Sequence, residues 1–260
     1  MLKIIRSGAV LLTLGLAAGA GASDRPLTHT YLSDTLPPGS FELEPWFTSR
    51  IGKEAFYVGN DVRLELEYGL LDGLQLAAYV NFGFAFADQG DGRRVGSLSF
   101  DGVSLEAKWK LLDASADPVG LALYFEPTLA PGALELEARV IVDKRLGDLV
   151  LAANVAAEYE FEYPDGVLTR ELKLELDLGA SYQVTDWLSV GLELKNDNVS
   201  PVGQGWRNSA LFLGPVVGVR WKGGWAALSV LPQLVSLTGP SPDLDEHERL
   251  EARLLVGVHL

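Results

Sequence analysis

Between Asp61 and Tyr68 the chain places Val62, Leu64, Leu66 and Tyr68 on one side of an extended backbone and Arg63, Glu65 and Glu67 on the other, because side chains alternate across a strand with period two. The same division separates Val103, Leu105, Ala107 and Trp109 from Ser104, Glu106, Lys108 and Lys110, and Leu172, Leu174, Leu176 and Leu178 from Glu171, Lys173, Glu175 and Asp177. An amphipathic helix advances about 100° per residue and would scatter these charges around its circumference, so the alternation predicts strands. It starts near Phe41 and persists to Leu260 in about twelve segments of ten or so residues, the pattern of a transmembrane β-barrel.

Strands are predicted near residues 40–48, 57–69, 74–86, 100–111, 119–128, 133–144, 149–161, 169–183, 187–196, 209–221, 225–235 and 249–260. The links between them alternate in character. Leu71-Asp72-Gly73, Lys144 to Asp148, Thr185-Asp186 and Lys222-Gly223-Gly224 are tight turns, and Leu112 to Pro118 is only slightly longer, whereas Ala87 to Ser99, Asp197 to Asn208 and Ser236 to Glu248 read as longer polar loops. Short periplasmic turns, longer external loops and an even strand number are what an outer-membrane barrel requires. The expected fold is therefore all-β, an antiparallel up-and-down transmembrane barrel of about twelve strands, with ten or fourteen as the neighbouring counts. A secreted soluble β-sandwich also alternates, but turn asymmetry and a final strand apolar on one face to its last residue speak against it.

Aromatic residues sharpen this picture. Tyr68, Trp109, Tyr182, Trp187, Trp221 and Trp225 flank the short turns and are expected to form an interfacial girdle, since amphipathic rings prefer the headgroup level. Phe82, Phe84, Phe86, Tyr159, Phe161 and Tyr163 lie toward the long-loop ends, with the three Phe residues assigned to the lipid face. Outer-membrane lipid and lipopolysaccharide are the implied surroundings.

The N-terminus carries Lys3 and Arg6, an apolar run from Ala9 to about Ala18 and the small residues Ala20-Gly21-Ala22, which together read as a secretory signal over residues 1–22. Residues 23–38 read as a short periplasmic leader and residues 39–260 as the barrel. No other stretch approaches the roughly 20 apolar residues of a membrane helix. Without cysteine there is neither a disulfide framework nor a lipidation site. Once Lys3 and Arg6 are removed, the 21 basic residues fall to 19 against 35 acidic, a net charge near −16. Such a chain repels phosphate backbones, which excludes nucleic acid as the expected partner.

At Glu67 to Val80 (EYGLLDGLQLAAYV) and Ser181 to Leu194 (SYQVTDWLSVGLEL) the chain resembles proteobacterial outer-membrane proteins of the phenol meta-pathway and putative-transporter type. In these an aromatic-Gly or aromatic-x-Val pair, a short Thr-Asp or Asp-Gly turn and a new alternating strand recur as hairpins. The resemblance extends over most of residues 40–260 and implies a porin-like Gram-negative barrel, delivered to its membrane by the barrel-assembly machinery. Members of that group commonly end in Phe, whereas this chain ends in Leu260.

Turning the polar face inward fills the lumen with Glu65, Glu67, Glu106, Glu135, Glu137, Glu171, Glu175, Asp177 and Glu193, opposed by Arg63, Lys108, Arg139, Lys173, Arg220 and Arg253. Glu42, Glu44, Glu126, Glu158, Glu160 and Glu251 join the first set, and Lys110 and Lys195 the second. Two readings follow. Ion pairs across neighbouring strands could plug the lumen and leave a closed structural or loop-mediated interaction barrel; alternatively, a narrow aqueous path with a negative field would pass a small cationic or neutral solute. Catalysis is not expected, because His29, His247 and His259 have no spaced nucleophile or metal-ligand partners. No cofactor motif or metal site is legible.

Overall fold

In a computed structural model, which describes residues 24–88, 90, 92–163, 166–202 and 205–260, the chain closes into one antiparallel barrel. Its strands are β1 (Phe41–Ile51), β2 (Tyr57–Leu71), β3 (Leu74–Asp88), β4 (Arg94–Leu112), β5 (Gly120–Ala130), β6 (Ala133–Leu146), β7 (Leu149–Glu162), β8 (Thr169–Thr185), β9 (Leu188–Pro201), β10 (Asn208–Trp221), β11 (Gly224–Ser236) and β12 (Leu250–His259). Each strand pairs with its sequence neighbours, and β12 returns to β1 through pairs such as Phe47↔Leu254 and Ile51↔Leu250. Closure leaves no sheet edge within the ring, as hydrocarbon surroundings demand. The segment read as a signal, residues 1–22, lies outside the described residues.

All twelve expected strands are present, most of them longer than the hydrophobic pattern alone suggested. The polar stretch Ala87 to Ser99 is mostly not a loop: β3 runs to Asp88 and β4 starts at Arg94, with Ala87↔Val95 and Asp88↔Arg94 paired. Likewise β9 continues to Pro201 rather than ending near residue 196. Hydrophobic alternation stops where strands leave lipid, whereas backbone pairing continues into water because it depends on main-chain groups. The short turns gather at one end of the barrel, here the turn end. They include Lys222-Gly223, where φ of +104° at Gly223 is a conformation that L side chains rarely adopt. The opposite, loop end carries the connections after β1, β3, β7, β9 and β11, together with the tight Pro131-Gly132 turn after β5.

The two faces of the wall separate as the alternation requires. Leu64, Leu66, Val103, Leu105, Val155, Leu176, Leu178, Leu192 and Leu228 point outward and are exposed, while Glu65, Glu67, Ser104, Glu106, Asn154, Asp177, Glu193 and Ser229 point inward and are buried. An apolar belt encircling the whole molecule far exceeds the few hundred Å² of contiguous apolar patch that a soluble monomer shows. Phe84 and Phe86 lie on that outer face. So do Trp109, Tyr182, Trp187 and Trp221, each at least half exposed, and the half-buried Tyr68 stacks on outward Phe41 at 4.6 Å.

Trp225 departs from the expected girdle. It is 1% exposed, lies inside the lumen, and donates from Nε1 to Glu42 Oε1 at 2.8 Å. The hairpin register explains this: Trp221 is paired with Gly224 and shares its face, so Trp225, paired with Arg220, falls on the other side. Flanking a short turn therefore does not by itself put a ring on the outer face.

Candidate functional site

The lumen is not empty of backbone. The segment expected to be a leader ahead of β1 lies inside the barrel: Leu27, Thr28, His29, Thr30, Ser33 and Leu36 are all at most 3% exposed. We call residues 24–38 the strap. It enters at the turn end beside Arg145 and Arg220, rises past β9 and β7 toward mid-lumen, and descends past β6 and β3 to reach β1.

Inward side chains of the wall supply the strap with hydrogen bonds that a strand would have taken from a neighbouring strand. Glu193 accepts from the backbone N–H groups of Thr28 (3.0 Å), His29 (2.9 Å) and Thr30 (2.9 Å) and from the Thr28 hydroxyl (2.8 Å). Asn154 brackets Tyr31, accepting from its N–H at 2.6 Å and donating to its carbonyl at 3.1 Å. Asp143 accepts from Ser33 N–H at 3.1 Å and Gln75 from Leu36 N–H at 2.9 Å. Buried backbone donors left unpaired would each cost about 1–3 kcal/mol, so these four side chains make the buried path possible.

Room for the strap comes from glycine. A Cβ on inward Gly179 would stand 2.5 Å from Leu27 Cδ1 and 2.9 Å from Thr30 Oγ1, and one on Gly218 would stand 3.3 Å from Pro26 Cα. At its summit Tyr31 packs among Trp46, Tyr124, Ala122, Ile141, Trp225, Ala227 and Leu255, a buried cluster in the middle of a polar lumen. Its ring lies 5.4 Å from Tyr124 and 6.2 Å from Trp46, with the guanidinium groups of Arg25 and Arg139 over it at 4.2 and 4.7 Å. Cation–π contacts of this kind, out of bulk water, contribute more than exposed ones.

Apart from Arg220, the charged residues expected inside lie on the inward face, grouped around a few cations. Arg139 contacts Glu137 (3.0 Å), Asp177 (2.9 Å) and Glu175 (3.3 Å). Lys195 contacts Glu251 (3.0 Å), Asp197 (3.6 Å) and Glu175 (3.7 Å), and Arg253 reaches both Glu251 (3.3 Å) and the Thr48 hydroxyl (3.0 Å). Lys173 joins Glu158 and Glu160 at 2.7 and 2.8 Å; Arg63 meets Glu126 and Asn81; and Glu171 is drawn to Arg207 at 3.1 Å. Arg220 sits apart, its side chain exposed at the turn-end rim against the Asp186 carbonyl and 4.0 Å from Asp24. Near the turn end Glu42, Glu44, Glu65, Glu67 and Glu106 crowd together with Lys108.

Two cavities flank the strap's summit. The one toward the loop end holds about 320 Å³ and is lined by Asp61, Asp101, Glu126, Glu135, Glu137 and Glu158 against Arg50 and Arg63. The one at the turn end holds about 270 Å³ and has Asp24 and Asp148 against Arg25, Arg145 and Arg220. The field is thus negative at one end and close to balanced at the other.

A closed twelve-stranded barrel with an apolar belt and a charged lumen has the fold of outer-membrane channels and porins. Among solved structures it is similar to an outer-membrane channel, COG4313, of Pseudomonas putida F1, with a TM-score of 0.66 and 13% identity over 88% of this chain and 98% of that one. It is also similar to the NanC porin, with a TM-score of 0.58 and 11% identity over 84% of this chain and 100% of that one. No curated protein matches the sequence. The chain belongs to a family of unknown function, DUF6662, whose family model matches residues 20–260.

Sequence reasoning missed the strap, the anchors Gln75, Asp143 and Asn154, and the buried aromatics Trp46, Tyr79 and Tyr124. One signal was available. Leu27, Tyr31, Leu32 and Leu36 are apolar residues at irregular spacing in a segment that was expected to be solvated, and small inward residues at Ala77, Gly120, Ala122, Ala152, Gly179 and Gly218 leave space on several strands.

Proposed function

We propose that this chain is a narrow, passive outer-membrane channel for a small cationic or neutral polar solute, with the strap setting its constriction. The observation that carries the reading is the carboxylate-lined cavity at the loop end: charges on a low-dielectric wall focus the field, raise the local concentration of cations and repel anions. In this reading the loop end faces the exterior and the turn end the periplasm, lipid and lipopolysaccharide surround the belt, and no chemistry is performed on the solute. The similarity to a channel and to a porin supports the class and carries no solute with it. Transport through the centre requires the strap to move, since Tyr31 and its aromatic neighbours occupy that level. That same occlusion favours a second reading, a permanently closed structural barrel. Bilayer reconstitution under a salt gradient separates the two: a cation-selective reversal potential supports the channel, and silence from correctly folded protein supports the closed barrel.

A further inference from the structure

Within the β1–β2 hairpin, Glu42 stands directly opposite Glu67, and Glu44 directly opposite Glu65, all inward and at most 5% exposed. Like charges directly opposed across a strand pair destabilise it, and burial removes the water that would screen them. Glu106 of β4 adds a fifth carboxylate. The basic groups beside it are Arg25, 2.9 Å from Glu44, Lys108, the next inward residue after Glu106 on β4, and His259, 3.1 Å from Glu42, while Arg63, the inward residue before Glu65, is taken up by Glu126.

The hydrogen bonds do not dispose of this charge. Glu67 accepts from Gln75 through Oε1 at 2.7 Å and Glu106 takes the single proton of the Tyr79 hydroxyl. Oε2 of Glu67 and both oxygens of Glu65, itself 1% exposed, meet no hydrogen-bond donor among the described residues. Buried carboxylate oxygens are almost always partnered, so Glu65 in particular calls for a proton or a cation beyond what the neighbouring side chains donate.

We propose that Glu65, Glu67 and Glu106 bind a divalent metal cation, calcium rather than magnesium, that ties β2 to β4 across β3 beneath the strap. One oxygen from each of the three lies within 4.8 Å of the others, and oxygens sharing one Ca²⁺ at 2.3–2.6 Å are at most about 5 Å apart. The donor set is all oxygen and all carboxylate. Mg²⁺ dehydrates reluctantly and favours sites with few protein ligands, whereas Ca²⁺ accepts such a cage with two or three waters completing its shell. The cation offsets the repulsion of the facing pairs and requires no opening of the pore, so the site stands whether or not the channel reading does.

The test uses the mature chain folded in detergent, stripped with EDTA, and Tb³⁺ as the luminescent probe. Trp46 lies 6.4 Å from Tyr79, which is bonded to Glu106, so excitation of these rings sensitises Tb³⁺ held there. The expected result is saturable emission reversed by Ca²⁺, with affinity weakened about tenfold or more by Glu65→Gln combined with Glu67→Gln, because each substitution removes a charged ligand. Glu54→Gln, at an exposed position between β1 and β2, leaves emission unchanged. Ca²⁺ raises the unfolding temperature of the wild type and not of the double variant, whose metal-free form unfolds higher than the metal-free wild type. Should the double variant not fold, Glu106→Gln is read in the same two measurements. Absence of emission from the wild type, the result expected if the carboxylates are kept neutral by shared protons, overturns the proposal. So does emission or Ca²⁺ stabilisation that survives the substitutions.

Discussion

The wall and the strap are built by opposite means. The wall satisfies its backbone by strand pairing, so its side chains are free to alternate between lipid and lumen, and any residue of the right polarity serves at most positions. The strap pairs with no strand. Its N–H groups depend on Glu193, Asn154, Asp143 and Gln75, and its course depends on glycines that admit it. A fold held by pairing tolerates substitution, whereas one held by four named side chains does not. The strap is therefore the part of the lumen that single substitutions can loosen without breaking strand pairing.

The largest effect is expected in the wall. Leu176 faces outward in mid-strand, and Leu176→Arg places a charge in the lipid belt at about 2–4 kcal/mol, measured as a lower urea midpoint for refolding into vesicles and as loss of the heat-modifiable band on a denaturing gel. The same gel is expected to show Glu193→Ala folded, because the damage there is confined to the strap. That substitution strips three backbone donors of their acceptor, and at the lower bound of about 1 kcal/mol each destabilises the docked strap by about 3 kcal/mol. Thermolysin is then expected to cut near Leu27 and Leu32, which are buried in the wild type, with the new N-termini read by mass spectrometry. Resistance equal to the wild type would mean that Glu193 does not anchor the segment.

Gly179→Val tests the same contact from the side of space rather than of bonding. Overpacking against Leu27 and Thr30 costs about 1–3 kcal/mol, and strap proteolysis is expected to rise less than in Glu193→Ala. The smallest effect is expected at Lys173, whose side chain is 35% exposed beside Glu158 and Glu160. Lys173→Met shifts the unfolding midpoint by at most about 1 kcal/mol, and a larger loss would show that the loop-end ion pairs hold the barrel shut.

What was legible in the sequence follows the same line. Alternation at Asp61 to Tyr68 and at Leu172 to Leu178 marks both faces of β2 and β8, because burial in lipid imposes a period that composition must obey. The inward carboxylates came with it. Nearness to a turn does not fix the face of Trp225, because facing across a turn is set by pairing. The strap escaped because its burial depends on residues scattered over β3, β6, β7 and β9, and tertiary partners 39 to 165 residues away leave no local period.

The central claim is that the lumen is a cation-favouring path constricted by the strap. It is tested most directly by planar-bilayer recording of residues 23–260 and of the same chain lacking residues 24–36, under one salt gradient. The expected result is a reversal potential of cation-selective sign in both, with clearly higher conductance once the strap is gone, and a weaker selectivity when Glu126, Glu135, Glu137 and Glu158 are changed to Gln. Anion selectivity, or a conductance that the deletion leaves unchanged, would contradict it.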